Sequence, residues 1–159
     1  DVLMDGKQPQ GERWNFDGEN RHKLKPADLA QVPQPLMFAN PVTEIRERIN
    51  RHQIKSLGST TDQLLWPINE QQSLELLEFF CRHCLPNFGR FQDAMTQQGD
   101  NRWSLYHSRI SFALNSKILH PMQVIEAALN RFDESDSTVD LAQIEGFIRQ
   151  ILGLSLIHI

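Results

Sequence analysis

Residues 103–121 read WSLYHSRISFALNSKILHP and place an aromatic-rich loop directly before an apolar helical segment. Ser108 and Ser111 stand three residues apart, so on a first helical turn both hydroxyls and the free N–H groups of that turn face the same side. A helix start of this kind binds anions, and Arg109 could add a charge-assisted hydrogen bond. The pattern therefore predicts a phosphate-binding turn.

The two serines also have an ordinary structural explanation. Serine is a preferred N-cap, so Ser108 could do no more than start the helix. Ser111 would then be a solvated position on the first turn. Local chemistry leaves both interpretations open.

Two helices are predicted before this turn. Apolar residues recur at helical spacing from Val42 to about Gln53, with Thr43 as the candidate N-cap. A second helix begins after Asn69 and buries Leu74, Leu77, Phe80, Cys81 and Cys84. Pro86 is expected to end that helix, because proline removes a backbone donor and clashes with the preceding turn.

Two more helices are predicted after the turn. Pro121 suits the first position of a helix, where its missing N–H costs nothing. The apolar residues that follow recur at helical spacing: Val124, Ile125, Ala128, Leu129 and Phe132. The last helix begins near Leu141 and has a broad apolar side: Ile144, Phe147, Ile148, Ile151 and Leu152.

Residues 1–40 lack a sustained period and are rich in proline, which favours an extended linker. Trp14 and Phe16 interrupt that simple picture. Two large rings so close together in a short extended segment normally dock on another surface. We expect these rings to be left exposed if that surface lies outside the chain.

Composition narrows the range of functions. The 159 residues carry a formal net charge of -4, which argues against a general polyanion binder, because nonspecific DNA affinity comes from clustered lysine and arginine. One basic run, from Arg46 to Lys55, is expected to be a solvated helix face. No apolar run is long enough for a transmembrane helix, and a soluble cytoplasmic protein is predicted.

The two cysteines form the sequence Cys81-Arg82-His83-Cys84. A C-x-x-C pair suggests a redox or metal site, but a metal site needs further ligands and a thioredoxin-like site needs a βαβ unit. Both cysteines share a helix side with leucines. We therefore predict buried apolar cysteines and no metal site.

Four segments, in order, resemble one known family. RWNFDGENR (residues 13–21), PNFGRFQDAM (86–95), HSRIS (107–111) and IEGFIRQILG (144–153) are similar to motifs of the deoxyribodipyrimidine photolyase-related family. This is the branch of iron-sulfur bacterial cryptochromes and prokaryotic (6-4) photolyases. Two of the segments match over nine or ten residues almost literally, which makes the resemblance specific.

The resemblance implies an all-α fold that is part of a larger one. Relatives have an antenna domain before the equivalent of residue 1 and the rest of the helical domain after residue 153. The chain is thus expected to be an internal fragment. Residues 1–40 would be the interdomain connector and 41–153 the N-terminal half of the helical FAD-binding domain. Residues 154–159 match nothing in the family and are expected to be a non-family tail.

The resemblance also implies an FAD site. The HSRIS segment would hold the phosphates of FAD, and two residues of the last helix would approach its ring system. Alone, these two could equally be a core phenylalanine and a surface glutamine. The predicted cofactor-binding residues are His107, Ser108, Arg109, Ile110, Ser111, Phe147 and Gln150.

The implied chemistry is light-driven electron transfer from reduced FAD to a pyrimidine photoproduct in damaged DNA. In the longer parent protein, a 4Fe-4S cluster and a ribityllumazine-type antenna chromophore are also implied, neither of them ligated within these residues. Two alternatives stay open. One is a cryptochrome-type blue-light receptor without repair activity, and the other is a flavin-free helical interaction module.

Overall fold

The computed structural model describes residues 3–59 and 61–157, with side chains through Gly153. The described chain is mostly helical, as predicted. Its helices are α1 (Pro26–Ala30), α2 (Thr43–Arg51), α3 (Glu70–Phe79), α4 (Leu85–Phe91), α5 (Ser111–Asn115), α6 (Pro121–Asp133) and α7 (Leu141–Ile157). Two small antiparallel sheets pair β1 (Met4–Asp5) with β2 (Gln8–Pro9) and β3 (Asn40–Pro41) with β4 (Gln63–Leu64).

The core lies between α4, α6 and α7. Three phenylalanine rings meet at its centre: Phe80 lies 4.7 Å from Phe147, and Phe88 lies 5.4 Å from Phe147, between ring centroids. Edge-on and tilted pairs at this spacing add to the stabilisation from burying the rings. The predicted stripes of α6 and α7 supply most of the remaining core: Val124, Ile125, Ala128, Ile144, Ile148 and Ile151 are buried.

The helix starts differ in how well the sequence predicted them. Asn69 caps α3, because its Oδ1 accepts a hydrogen bond from the backbone N–H of Gln72 at 2.9 Å. Pro121 is the first residue of α6, as predicted. Thr43 was wrongly predicted as an N-cap: it lies inside α2, and Val42 holds the cap position without a side-chain hydrogen bond.

Pro86 does not end the second predicted helix. A π-helical turn, Phe80–Cys84, follows α3, and the N–H of Leu85 bonds to the carbonyl of Phe80 five residues back. The wider turn accommodates the proline ring, and Pro86 then occupies the first turn of α4, where its missing N–H needs no partner. The helical path therefore continues to Phe91.

The cysteines behave as predicted. Cys81 and Cys84 are buried and unbonded in the π-helical turn. Burial raises the pKa of each thiol to about 12. A thiol kept protonated in this way is a poor nucleophile and a poor metal ligand.

The first 40 residues are more structured than a plain linker. They contain β1, β2, α1 and two 3₁₀ turns, Gln10–Glu12 and Asp17–Glu19. Phe16 is 8% exposed, so the expectation of an exposed ring is wrong for Phe16, whereas Trp14 is 73% exposed. The ring of Phe16 is buried because this segment docks on α7, where its backbone N–H lies 3.4 Å from Oε2 of Glu145.

Asn20 fixes that docking. Its side chain is fully buried between Gly89 of α4 and Gly146 of α7. A Cβ at Gly146 would stand 2.8 Å from Nδ2 of Asn20, and one at Gly89 would stand 3.0 Å from Oδ1. Nδ2 donates a long hydrogen bond of 3.5 Å to the carbonyl of Ala142. The two glycines thus provide the space that lets Asn20 join the segment to both helices.

The end of the chain is described only in part. α7 continues through residues 154–157, the first part of the predicted non-family tail. Residues 158 and 159 lie outside the described residues. The prediction that this tail is foreign to the family therefore stays a prediction.

Candidate functional site

One open concavity of about 370 Å³ lies between the loop before α5 and the middle turns of α7. All seven residues predicted to bind the cofactor line it: His107, Ser108, Arg109, Ile110, Ser111, Phe147 and Gln150. Their roles toward a cofactor stay predictions. The geometry nevertheless brings together residues that are about 40 positions apart in sequence.

The loop before α5 is not the helix start that the serine spacing suggested. α5 begins at Ser111, and Ser108 precedes it. Between them Arg109 has a φ of 56°, a left-handed conformation that costs a residue with a side chain roughly 1 kcal/mol. Ser108 is therefore neither an N-cap nor part of the first turn, and the prediction of two serines on one helical turn is wrong.

The backbone donors of this loop are nonetheless available. Within the described part of the chain, the N–H groups of Ser108, Arg109, Ile110 and Ser111 donate no hydrogen bond, and neither serine hydroxyl has a partner. Successive free N–H groups around a left-handed residue form a concave, anion-binding arrangement. The loop can thus offer several donors to one anionic group.

The side chain of Arg109 is held at the wall of the concavity. Its Nη2 donates to the carbonyl of Leu36 at 2.9 Å, and its guanidinium lies 5.3 Å from the centre of the Trp103 ring. Burial lowers the pKa of Arg109. These contacts anchor the left-handed turn and place a cationic group beside the loop.

His107 is half-buried at one end of the loop. Its backbone N–H donates to the carbonyl of Ser104 at 3.0 Å. Burial lowers the pKa of His107. A hydrogen bond to the backbone of Ala94 and the negative charge of Asp93 partly oppose this shift. A lowered pKa keeps the ring neutral near pH 7, so it adds no permanent charge to the site.

Ile110 and Phe147 contribute to the wall from the core. Ile110 is 1% exposed, so only a small part of the residue reaches the concavity. Phe147 is 2% exposed within the phenylalanine cluster. Phe147 is therefore first of all a core residue, of which only a small part of the ring borders the concavity.

Gln150 follows one turn after Phe147 on α7 and is half-buried. Its Nε2 donates to Oε1 of Gln92 at 3.2 Å. Gln92 follows α4 directly and was not among the predicted site residues. The only sequence signal for it is its position in the PNFGRFQDAM segment, six residues after Pro86.

The sequence also missed four apolar residues of the concavity. Trp66 forms part of the rim and packs edge-on against Trp103, with ring centroids 6.4 Å apart. Phe88, Leu114 and Ile151 complete the apolar wall. A Trp-Pro pair at the end of a loop, as at residues 66–67, was a usable signal for Trp66.

A second groove lies on the opposite side of α7. Its volume is also about 370 Å³, and its walls include Arg13, Trp14, Ile148 and Arg149. The arginines there are paired: Arg13 with Glu19 at 2.6 Å, and Arg149 with Glu145 at 2.9 Å. Unlike the concavity at α5, this groove has its charges neutralised by neighbours.

Two global properties complete the description. None of the helices within the described ranges has the length and apolar character needed to cross a membrane. Among residues 3–59 and 61–157, no three histidine, cysteine or acidic side chains come together as a metal site.

The fold and the site define a class: a mostly helical domain with an open concavity whose polar wall offers unpaired backbone donors. A sequence profile described as "Deoxyribodipyrimidine photo-lyase-related protein" matches residues 1–65. A protein of Agrobacterium fabrum (strain C58 / ATCC 33970), called (6-4) photolyase, is 35% identical over 153 residues. Both similarities support the photolyase-related family for this chain.

The match is unequal in length. It covers 96% of this chain but only 29% of the (6-4) photolyase from Agrobacterium fabrum. The chain thus spans less than a third of that relative.

Proposed function

We propose that these residues form one wall of the FAD site in a longer, light-driven DNA repair flavoprotein similar to (6-4) photolyase. In this proposal residues 1–40 are the interdomain connector and residues 41–153 are the N-terminal half of the helical FAD-binding domain. The protein would act in the cytoplasm on damaged DNA. The match to the family profile and the 35% identity with a (6-4) photolyase support it.

The observation that carries the proposal is the set of free donors in residues 108–111. Among the residues that the structure describes, four successive N–H groups and two serine hydroxyls at an open concavity have no hydrogen-bond partner. Had these groups been bonded to neighbouring carbonyls or turned into the core, the site could not accept a pyrophosphate. Donors of this kind suit a dianionic phosphate pair, because each N–H stabilises negative charge without a counter-ion.

Each predicted residue then has a separate task. Ser108 and Ser111 donate hydroxyl hydrogen bonds to phosphate oxygens. The backbone N–H groups of the loop, that of Ile110 among them, donate further hydrogen bonds to the same phosphates. Arg109 contributes positive charge from the wall, since its Nη2 is already bonded to Leu36. Neutral His107 closes one end of the loop.

Phe147 and Gln150 lie where the ring system of a bound flavin would approach α7. Phe147 excludes water with its ring edge, and Gln150 offers an amide for hydrogen bonding. When bound and reduced, FAD supplies the light-driven electron for a pyrimidine photoproduct. The chain's own part is to hold the phosphates, orient the ring and keep solvent from it.

The proposal places the other redox groups elsewhere in the protein. Cys81 and Cys84 are buried in the core with raised pKa values and are poor candidates for an iron-sulfur cluster. The 4Fe-4S cluster and the ribityllumazine-type antenna chromophore would therefore depend on residues beyond these 159. Their support is the family resemblance alone.

A second candidate is a blue-light receptor that holds FAD in the same way but repairs no DNA. The formal net charge of -4 favours it, because strong DNA binding needs an excess of basic side chains. Irradiating the longer protein with DNA that carries (6-4) lesions separates the two. Restored pyrimidines support repair, and unchanged lesions beside a normally photoreduced flavin support signalling.

The test of the flavin site is the double variant Ser108→Ala/Ser111→Ala in the longer protein. We expect flavin occupancy, measured by absorbance after purification, to fall about tenfold or more, because two hydrogen bonds to charged oxygens are lost. Ser116→Ala is the matched control: this exposed serine bonds to the carbonyl of Phe112 and lies away from the concavity. Unaltered occupancy in the double variant would contradict the phosphate assignment.

The flavin colour of the purified longer protein tests the whole proposal. If the purified longer protein binds no FAD even when FAD is added, a flavin-free helical interaction module becomes the better explanation. Occupancy near one flavin per chain excludes that module.

A further inference from the structure

We propose that Gln92 is a positioning residue, which turns the amide of Gln150 so that its carbonyl oxygen Oε1 faces the concavity. The inference deepens the proposed function and rests on it for the nature of the bound molecule. The orientation itself belongs to the free chain.

The contact between the two side chains defines the orientation. Nε2 of Gln150 donates to Oε1 of Gln92 at 3.2 Å. In a primary amide the NH₂ group donates and the carbonyl oxygen, which points away from it, accepts. When Nε2 of Gln150 is turned toward Gln92, its Oε1 therefore points away from Gln92. Gln150 lines the concavity whereas Gln92 does not, so Gln92 supports Gln150 from behind.

The free oxygen is accessible. Within the described residues Oε1 of Gln150 accepts no hydrogen bond, yet it is not among the buried polar atoms that lack a partner. Solvent therefore reaches this atom. Because the side chain borders the concavity, a bound molecule can reach it as well.

The position of Gln92 is set by close helix packing. Oε1 of Gln92 lies 3.5 Å from the point where a Cβ at Gly146 would stand. Gly146 lies one helical turn before Gln150 on α7. The absence of a side chain at Gly146 thus lets Gln92 approach α7 and reach the amide of Gln150.

The consequence concerns ligand recognition. Oε1 is a hydrogen-bond acceptor only, so a group that pairs with it must be an N–H or O–H donor. A ligand that presents a carbonyl oxygen at this point would face repulsion and leave two acceptors unpaired. Gln92 thereby selects the donor edge of the bound molecule without contacting it.

The test needs no ligand and uses the side-chain amide signals of Gln150 in the 159-residue chain. In the wild type we expect the Nε2 protons to exchange with solvent about three to ten times more slowly than those of exposed Gln97, as one hydrogen bond of this class implies. Gln92→Glu keeps an acceptor and should retain the slow exchange. Gln92→Met keeps the length but not the acceptor, and should speed exchange by about the same factor.

Two outcomes would overturn the proposal. Equal, slow exchange in Gln92→Met would mean that burial and not Gln92 restrains the amide. Fast exchange in Gln92→Glu would mean that Gln150 had been accepting from Gln92, because two acceptors then repel each other. Backbone amide spectra of both variants confirm that the fold is kept. Loss of flavin binding in the longer protein would count against the proposed function and leave this orientation standing.

Discussion

Two regions of α7, one helical turn apart, differ in how much space surrounds them. At Gly146 the helix is covered by fully buried Asn20, and no space remains. At Gln150 the same helix borders an open concavity, whose far wall carries backbone donors without a partner in the described part of the chain. The difference teaches that the missing side chain at Gly146 lets Asn20 fill the first region, whereas the helix at Gln150 stays open to a ligand.

Phe147 lies between the two regions and should show the largest effect. Phe147→Ala removes a ring that contacts Phe80 and Phe88, and we expect the free energy of unfolding to fall by about 3–5 kcal/mol. Phe112→Ala, at a 45% exposed ring on α5, should cost about 1 kcal/mol or less. Urea denaturation measures both. Equal losses would show that Phe147 is not part of the main core.

Gly146→Ala tests whether the covered region is as tightly filled as its geometry indicates. The new Cβ would stand 2.8 Å from Nδ2 of Asn20, and overpacking of this kind costs about 1–3 kcal/mol. The matched control is Gly153→Ala on the same helix, where a Cβ would meet no atom from elsewhere in the described residues within 4 Å. It should stabilise the chain by about 0.5–1 kcal/mol. If both variants behave alike in denaturation, Asn20 does not fill the junction.

Lys117 allows a smaller test at the far end of α5, the helix that starts at the open concavity. Lys117 has a φ of 61° and closes the helix: its N–H bonds to Leu114 and the N–H of Ile118 to Ala113. Lys117→Gly should raise the free energy of unfolding by about 1 kcal/mol, since glycine adopts this conformation without strain. Thermal unfolding measures it. A destabilised variant would contradict the left-handed geometry.

His107 should make the free energy of unfolding depend on pH. Burial lowers its pKa in the folded chain, so below about pH 6.5 the unfolded chain binds a proton that the folded chain does not. Stability from this residue is therefore present above that pH and lost as the pH falls through the folded pKa. We expect the free energy of unfolding of the wild type to fall more steeply between about pH 7.5 and 5.5 than that of His107→Gln. Parallel pH profiles would exclude a buried, neutral His107.

The sequence predicted the helices well where the signal was local. The cap at Asn69, the proline at the start of α6 and the stripe of α7 depend on residues within one or two turns, so each could be read from the chain alone. The prediction that Pro86 ends the second helix was wrong, because the π-helical turn that accommodates the proline depends on packing around Phe80. Asn20 was also beyond reach, since its partners, Gly89 and Gly146, lie 69 and 126 positions away.

The candidate site was predicted through its resemblance and not through its local geometry. Serine spacing suggested a helical turn that α5 does not form, because Arg109 reverses the chain just before Ser111. The motif nevertheless named residues that now border one concavity. Gln92 was missed because its part in the site comes from tertiary packing with α7. Trp66 was missed although the Trp-Pro pair at the end of its loop was a usable signal.

The most direct test of the flavin site is a crystal structure of the longer, FAD-loaded protein. The account predicts pyrophosphate oxygens within about 3.2 Å of the hydroxyls or N–H groups of Ser108 and Ser111, with the ring system beside Gln150. Phosphates bound elsewhere, with the donors of residues 108–111 bonded to other parts of the protein, would contradict it.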